Sequence, residues 1–480
     1  MEDVTIVGAG PTGSLMALLL ARRGYKKIRV FEYRSDPREA AAAAAGKKEA
    51  AAAAKLDDAS LAKVADAAKR SINLTLSHRG LCALRRAGID EAALRLSVPV
   101  RGRMIHDKQG GIQLQAYDPN PERVMHSIGR EVINTWLLAQ LSTYESSGVI
   151  ELCFGHKCLK VSPDGSAEFL RIADGQTVRT APARLLGCDG AFSVVRTAMA
   201  RMARVSVSVE YIEHGYKELS MAPKPSGAAD ESGRGLHRMP AEGLHIWPGS
   251  EVMLIALPNI DGSFTCTIFG DFALLDSLTT EEQVRDFFGK TWPDTLDLIP
   301  DLPRQYLANR NAALGTVRCW PWHIKDSHVL LLGDAAHGVV PFYGQGMNCA
   351  FEDCLLLDEA LVKSADDWTQ AVPAYAAARK PATDALATLA VDNYEEMRDK
   401  TVDRTFLVKC KLHEALHAVL GERWQPSLHT AVTFTSMPYH EAKATFERQD
   451  RMLTRAVLGA TTALVALGAR AALRSFQRRG

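Results

Sequence analysis

The chain has 480 residues, 47% of them hydrophobic, and a formal net charge of +1. This length allows two or three domains with a large core, and the balanced charge means that no overall positive field attracts nucleic acid. Nine cysteines are present without a Cys-x-x-Cys spacing, so we predict free thiols in a reducing compartment and no metal site. Because the first predicted strand begins at Val4, we expect no cleavable presequence.

The amino-terminal stretch predicts a strand, a glycine-rich turn and a helix. Residues 4–7 are β-branched, and the leucines after Ser14 have helical spacing up to Arg23. A Gly-x-Gly-x-x-Gly motif lies between them, formed by Gly8, Gly10 and Gly13. In such a motif the first glycine permits a tight turn, the second lets backbone approach a pyrophosphate, and the third lets the helix pack on the strand.

A second predicted strand, 28–31, ends at Glu32. A carboxylate at that point can bind the two ribose hydroxyls of an adenosine. The strand, the helix and the acid together predict dinucleotide binding, and a glycine turn in an unrelated α/β protein is the alternative.

An alanine-rich insertion follows at 40–69. Alanine and lysine favour helix, so we predict a surface helix or a loosely ordered excursion. We expect deletion of the insertion to leave activity largely intact.

Two later predicted strands also end in glycine and aspartate. Strand 184–187 is followed by Asp189 and Gly190, and strand 329–332 by Gly333 and Asp334. An isolated Asp-Gly pair is most often a plain turn, but ligands of open α/β sheets bind beyond the carboxyl ends of the strands. We therefore predict that the three glycine-bearing strand ends converge on one cofactor.

The remaining chain predicts a sheet and then helices. Strands are predicted at 211–220, 243–247, 251–257 and 263–269, which indicates an antiparallel sheet with one face packed and one facing a cavity. Alternating charged and apolar positions predict helices over 370–450.

The last stretch differs from the helices before it. The 14 residues from Ala456 to Ala469 are uncharged and lie between Arg455 and Arg470, whereas a full membrane span needs about 20 apolar residues. We weigh three alternatives: a short tail anchor, an interfacial helix or a helix packed on the protein. The first two predict membrane contact through residues 452–480.

Together these motifs resemble the class A flavoprotein aromatic hydroxylases, and within them the kynurenine 3-monooxygenase family. Strings similar to that family occur at 70–74, 103–106, 214–216, 244–248, 255–259, 263–267, 333–337 and 341–348. The resemblance covers nearly the whole chain except the alanine-rich insertion.

The resemblance implies an α/β fold, with a Rossmann-like FAD-binding domain, an inserted antiparallel-sheet substrate domain and C-terminal helices. On this basis we predict the following division: 1–205 FAD-binding, 206–310 substrate domain, 311–370 second part of the FAD-binding domain, 371–450 helical region and 451–480 tail.

The resemblance also implies the reaction. L-Kynurenine would be hydroxylated to 3-hydroxykynurenine with bound FAD, NADPH and O2, through a flavin C4a-hydroperoxide, so that no side chain need act as catalyst. It implies the mitochondrial outer membrane, facing the cytosol, if the tail is an anchor, and the cytoplasm otherwise.

Matching positions take their implied roles from the family. Besides the glycine motif, the FAD site would include Glu32, Arg34, Thr75, Arg130, Asp189, Gly190, Asp334, Met347 and Asn348. The amino-acid end of the substrate would be bound by Arg103, Tyr117, Asn393 and His429. The family usually has a tyrosine where this chain has His429, whose shorter side chain can still donate one hydrogen bond.

The proposed role of Arg103 also has support that does not depend on the resemblance. A substrate carboxylate in a desolvated site requires a cation with planar, paired donors, and Arg103 provides one. Two rival functions stay open: another flavin hydroxylase or reductase on the same fold, and a membrane-tethered flavoprotein scaffold without turnover. Arg103 together with Asn393 favours an amino-acid substrate over the first rival.

Overall fold

A computed structural model describes residues 2–44, 73–225, 236–324, 326–395 and 404–477. Most of the alanine-rich insertion predicted at 40–69 therefore lies outside the described residues. The strands, numbered in chain order, are β1 Val4–Val7, β2 Ile28–Phe31, β3 Asn73–Leu76, β4 Val98–Val100, β5 Gly102–His106, β6 Ile112–Ala116, β7 Met125–Gly129, β8 Ile150–Cys153, β9 His156–Val161, β10 Ala167–Arg171, β11 Thr177–Arg179, β12 Arg184–Gly187, β13 Ser206–Met221, β14 Gly243–Pro248, β15 Val252–Pro258, β16 Phe264–Asp271, β17 Ala312–Trp320, β18 His323–Ile324 and β19 Val329–Leu331.

The α-helices of the described residues precede, connect and follow these strands. They are Pro11–Arg22, Pro37–Ala44, His78–Arg86, Asp90–Arg95, Arg130–Gln140, Ser142–Ser146, Val194–Met202, Phe272–Ser277, Glu281–Thr291, Thr295–Leu298, Leu302–Ala308, Asp334–His337, Gly346–Lys363, Trp368–Glu395, Arg404–Leu420, Leu428–Phe434 and Tyr439–Gln477. Short 3-10 helices lie at Pro341–Tyr343 and Gly421–Arg423.

The first sheet has six strands in the order β18-β19-β12-β1-β2-β8. All neighbours are parallel except β18 and β19. Strands β1, β12 and β19 are buried along their whole length, as expected for parallel strands covered on both faces. The helices Pro11–Arg22 and Gly346–Lys363 contribute leucines to the same core. The α/β class predicted from the sequence is confirmed.

The second sheet has seven strands in the order β17-β13-β16-β15-β14-β5-β6. Its neighbours are antiparallel, as predicted, except that β14 and β5 run parallel. Strands β5, β6 and β17 lie outside the range 206–310 that the sequence predicted for this sheet. Strand β5 pairs with the distant β14 and β17 with the distant β13, and β6 joins the sheet as the neighbour of β5. The division into domains stays a prediction.

The faces of the second sheet are buried in different ways. In β15, Leu254 and Ala256 pack against the helices of residues 272–308, whereas Ile255 and Leu257 line the cavity described below. Side chains alternate between the two faces of a strand, so this strand is apolar throughout because neither face meets bulk water.

Two stretches of the chain whose sequence patterns indicate single elements are interrupted in the structure. Residues 98–106 alternate as in one strand, but they are divided into β4 and β5, which belong to different sheets. Residues 131–146 have the pattern of one helix, but this helix is divided at Leu141, where the Ser142 hydroxyl donates to the Ala139 carbonyl at 2.7 Å. Serine side chains compete with the backbone for such carbonyls, which favours a break.

The chain ends in the 39-residue helix Tyr439–Gln477, here called the tail helix. Its first turns are anchored in the protein, since Tyr439 and Ala442 are fully buried. The described side chains between Thr454 and Arg470 are exposed, so the alternative of a helix packed on the protein does not hold for them. None of the helices in the described ranges has both the length and the hydropathy needed to cross a membrane.

Candidate active site

A cavity of about 950 Å³ lies between the two sheets, at the upper end of the roughly 300–1,000 Å³ usual for ligand sites. Because β1, β12 and β19 are adjacent parallel strands, their carboxyl ends meet at one edge of the first sheet. The structure thus brings the three glycine-bearing motifs together on the cavity wall, represented by Gly8, Gly10, Asp189, Gly190 and Asp334.

The three glycines of the first motif have different surroundings. A Cβ atom on Gly8 would lie 2.4 Å from the Cys188 carbonyl oxygen, and one on Gly13 only 2.0 Å from the Gly8 carbonyl oxygen. A Cβ atom on Gly10 would meet no atom of the described residues within 4 Å. Packing therefore requires Gly8 and Gly13, whereas Gly10 leaves free space beside the amino end of the helix Pro11–Arg22, where a phosphate is favoured.

Glu32 and Arg34 lie together at one end of the cavity. The Glu32 carboxylate accepts hydrogen bonds from Ala9 N at 2.9 Å and from Arg34 N and Nε at 3.0 and 3.2 Å. The carboxylate is therefore held beside the glycine turn. Arg130, at the start of its helix, also lines the cavity.

Asp189 lines the cavity, but its carboxylate mainly caps a helix. It accepts hydrogen bonds from Ser193 Oγ at 2.6 Å, Val194 N at 2.7 Å and Val195 N at 3.2 Å. Burial raises the pKa of Asp189, and these donors oppose the shift. The side chain thus shapes the turn at Gly190, and that turn faces the cavity.

Asp334 lies on the cavity wall at the start of a one-turn helix. Gly333, just before it, has φ +59°, a conformation that favours glycine. Two of the three residues that could ligate a metal, His337, Cys349 and Asp353, accept hydrogen bonds from Arg379, at 2.7 Å for the Asp353 carboxylate and 3.1 Å for the Cys349 sulfur. A guanidinium already neutralises this carboxylate, and we assign no metal here.

Thr75 and Met347 line the cavity, whereas Asn348 lies behind its wall. The Asn348 amide is fully buried, donates to the carbonyls of Thr75 at 2.7 Å and Gly344 at 3.0 Å, and accepts from Ser77 N at 2.8 Å. Asn348 therefore joins β3 to the loop before the helix Gly346–Lys363. Met347, in the first turn of that helix, lies where the helix dipole favours negative charge.

The four predicted substrate-binding residues lie together on the cavity wall. Arg103 Nη2 donates to Asn393 Oδ1 at 3.3 Å, and Asn393 Nδ2 donates to the Phe342 carbonyl at 2.8 Å. Their sequence separation of 290 residues is bridged because β5 joins the second sheet and the helix Trp368–Glu395 packs beside the cavity.

His429 is stacked between two tyrosines. Its ring centroid is 4.7 Å from that of Tyr117 and 5.8 Å from that of Tyr343. Burial raises the pKa of Tyr117 to about 12, while burial and the nearby Arg103 lower the pKa of His429 to about 3. Both rings are therefore neutral near pH 7, beside a permanent guanidinium charge.

Two polar atoms in this corner have no hydrogen-bond partner among the described residues: Tyr117 Oη and His429 Nδ1. A buried polar atom without a partner is unfavourable by roughly 1–3 kcal/mol. A ligand with a carboxylate suits such a corner, since Arg103 supplies the charge and Tyr117 a neutral donor.

Sequence reasoning did not single out several wall residues, among them Asn73, Tyr216 and Tyr343. The apolar walls formed by Leu244, Ile255 and Phe269 fall within strands that it did assign to a cavity. Tyr343 lies between Pro341 and Gly344 in the string 341–348. Its place in a string that resembles the family was the sequence signal that could have identified it as a site residue.

Known proteins resemble this chain in a cofactor-binding segment and in overall fold. The family model described as FAD binding domain matches residues 299–390. Among solved structures, 2-methyl-3-hydroxypyridine-5-carboxylic acid oxygenase superimposes with a TM-score of 0.60 at 15% identity, covering 84% of this chain and 94% of that chain. PqsL of Pseudomonas aeruginosa has a TM-score of 0.57 at 19% identity, with 83% and 97% covered. These structures are similar in fold.

Curated relatives share much more sequence. The chain is 40% identical to the kynurenine 3-monooxygenase of Salinispora tropica, over 100% of this chain and 98% of that protein. It is 37% identical to that of Anopheles gambiae, over 97% and 88%, and 36% identical to that of Sus scrofa, over 95% and 88%. The chain therefore belongs to the kynurenine 3-monooxygenase family.

Proposed function

We propose that this protein hydroxylates L-kynurenine at the 3-position, with bound FAD and with NADPH and O2 as co-substrates. The observation that carries the proposal is the corner formed by Arg103, Tyr117, Asn393 and His429, which opens into the same cavity as the glycine motifs. The shared family name supports the substrate.

The polar corner would bind the amino-acid end of the substrate. Arg103 would pair with the carboxylate through two parallel hydrogen bonds, and Tyr117 Oη would donate a third. His429 is neutral, so it adds a hydrogen bond without adding charge. Asn393 is held by its bond to the Phe342 carbonyl and would keep Arg103 oriented.

The residues around the glycine motifs fit FAD. Gly10 leaves the space that a pyrophosphate would occupy, Glu32 would meet the ribose, and Arg34, Thr75, Arg130, Asp334 and Met347 would line the rest of its path. These residues would hold FAD, which would supply hydride acceptance from NADPH and activation of O2. The chain itself positions the ring and excludes water with apolar side chains such as Leu244, Ile255 and Phe269.

One assay tests the proposal against both rivals. We expect NADPH consumption by the flavin-loaded protein to rise when L-kynurenine is added, with 3-hydroxykynurenine formed in proportion. Stimulation without hydroxylated product would contradict the proposal and indicate a different substrate. No response to L-kynurenine would favour a scaffold or an unrelated substrate, and a panel of phenols would then separate these two.

We further propose that the tail helix contacts an anionic lipid surface. Met452, Val457, Leu458, Val465 and Leu467 are exposed on it, and no acidic residue follows Asp450 in the sequence. Six arginines do, namely Arg451, Arg455, Arg470, Arg474, Arg478 and Arg479. Exposed apolar and basic side chains on one helix are typical of interfacial binding, and like charges oppose pairing of two tails.

Sedimentation with lipid vesicles tests this contact. We expect the full chain to bind phosphatidylserine vesicles in a salt-sensitive manner and a chain ending at Asp450 to remain in the supernatant. Equal binding of both chains, or no binding by either, would contradict it. The compartment stays a prediction, since bacterial and animal proteins share this family name.

A further inference from the structure

A series of buried charged side chains begins at the turn that carries Asp334. Asp353 Oδ2 accepts hydrogen bonds from Gly333 N at 3.1 Å and from His337 Nε2 at 2.6 Å. One carboxylate oxygen thus holds both ends of the one-turn helix Asp334–His337. Burial alone would lower the pKa of His337, but the Asp353 carboxylate raises it well above its ordinary value, so the pair is ionic near pH 7.

From Asp353 the series continues through Arg379 and Glu352 to Arg79. Arg379 Nε donates to Asp353 Oδ1 at 2.7 Å, and Arg379 Nη1 lies 2.6 Å from Glu352 Oε2. Arg79 Nη1 donates to Glu352 Oε1 at 2.6 Å. All four side chains are buried. Displacing any one of them would leave a buried charge unpaired, which is strongly unfavourable, so their relative positions are fixed.

Arg79 also holds the carboxyl end of the helix Leu428–Phe434. Its Nε donates to the Val432 carbonyl at 3.1 Å, and its Nη2 donates to the Met437 carbonyl. The last four carbonyls of a helix have no partner within the helix, and a cation at that end is favourable. His429 lies in the first turn of the same short helix, so a displacement at Val432 would displace His429.

We propose that Arg79 is a positioning residue that, through Glu352, Arg379 and Asp353, fixes the substrate corner relative to the Asp334 turn. The proposal rests on the proposed function, because the substrate defines what the corner binds. Asp334 and His429, at the two ends of the series, both line the same cavity. The ion pairs fix the position of the His429 helix relative to the Asp334 turn, and they would thereby keep a bound substrate within reach of a bound flavin.

Displacement of the substrate corner would change the product that is formed from O2. In coupled turnover NADPH, H⁺, O2 and kynurenine give NADP⁺, water and 3-hydroxykynurenine. When the substrate ring is out of reach, NADPH, H⁺ and O2 give NADP⁺ and hydrogen peroxide. Loss of Arg79 should therefore lower the product formed per NADPH, while the flavin site, which Arg79 does not touch, keeps its cofactor.

The test compares Arg79→Met and Arg79→Lys with the control Arg86→Met. Arg86 Nε donates to Asp358 Oδ2 at 2.7 Å, which joins the same two helices, His78–Arg86 and Gly346–Lys363, without the bonds to Val432 and Met437. Three quantities are measured: flavin content, 3-hydroxykynurenine per NADPH, and amide hydrogen exchange of residues 428–437, which requires no substrate.

For Arg79→Met we expect full flavin content, less product per NADPH with peroxide making up the difference, and exchange at 428–437 faster by about tenfold or more. Arg79→Lys, which keeps the charge beside Glu352, should recover part of both changes, and Arg86→Met should match the wild type. Unchanged exchange and coupling in Arg79→Met, equal changes in Arg86→Met, or flavin loss in both Arg79 variants would overturn the proposal. A wild type that does not hydroxylate kynurenine would instead refute the proposed function, and the exchange comparison would still decide the role of Arg79.

Discussion

At the scale of single residues, Arg103 supplies the permanent positive charge of the substrate corner. Loss of a charged hydrogen-bond partner costs roughly 1.5–3 kcal/mol, so we expect Arg103→Ala to raise the half-saturating kynurenine concentration by about 10- to 150-fold with flavin content unchanged. Steady-state kinetics measure this. The matched control is Arg101→Ala, whose exposed side chain lies 3.9 Å from Glu242. An equal effect of both variants would refute the role of Arg103.

His429 gives a prediction about pH, because its pKa of about 3 in the folded protein is below the roughly 6.5 of an unfolded chain. The unfolded state then binds more protons between these values, so stability falls as pH decreases from about 6.5. We expect denaturant midpoints to fall more between pH 7.5 and 5 for the wild type than for His429→Phe, which keeps the stack on Tyr117. If the denaturant midpoint fell equally in the two proteins between pH 7.5 and 5, the pKa of His429 would not be lowered in the folded protein.

The sequence could predict which residues gather at the site, but it could not predict which of their atoms face the ligand. Asp189 and Asn348 both lie in predicted motifs, yet one caps a helix and the other joins β3 to a loop. Their partners are backbone groups whose positions depend on tertiary packing. Likewise, Tyr117 Oη is recognised as lacking a hydrogen-bond partner among the described residues only when its neighbours have been placed.

At the scale of elements, the first strand, turn and helix could be predicted because the glycine spacing and the hydrophobic periodicity are local signals. The register of β5 beside β14 could not, since these strands are separated by more than 130 residues and their pairing depends on non-local contacts. That pairing brings Arg103 to the cavity, and it also explains why the predicted sheet range omitted β5 and its neighbour β6.

The glycine turn supports a prediction of its own. Gly10 has φ −71°, which any residue can adopt, and a Cβ atom there would lie more than 4 Å from every atom in the part of the chain that the structure describes. We expect Gly10→Val to fold with the wild-type circular dichroism spectrum but to be purified without flavin absorbance. Gly13→Val is the contrasting variant and should fail to fold, because its Cβ would lie 2.0 Å from the Gly8 carbonyl oxygen. A yellow Gly10→Val protein would contradict the assignment of this turn to the cofactor.

At the scale of the whole molecule, the orientation of one sheet relative to the other decides whether substrate and flavin meet. Asn73 lies in β3, which forms a separate three-stranded sheet of order β3-β7-β4, and its side chain connects that sheet to the second sheet on the cavity wall. Its Nδ2 donates to Asn259 Oδ1 at 2.7 Å and to Ser127 Oγ at 3.1 Å, and its Oδ1 accepts from Thr265 Oγ1 at 3.0 Å. Asn259 and Thr265 belong to the β15–β16 hairpin region, so these bonds cross from the flavin side to the substrate side.

We therefore expect Asn73→Ala to lower the free energy of unfolding by about 1–3 kcal/mol. We also expect it to raise the share of NADPH electrons recovered as hydrogen peroxide, because a looser fit between the β3-β7-β4 sheet and the second sheet admits water. The control is Asn309→Ala, which removes a hydrogen bond of 2.6 Å to the carbonyl of Glu218 in β13 and does not affect the contact between the two sheets. Both variants should lose stability in urea, but only Asn73→Ala should lose coupling, as measured by peroxide and 3-hydroxykynurenine formed per NADPH. If equal losses of stability brought equal losses of coupling, coupling would depend on general rigidity and not on the junction at Asn73.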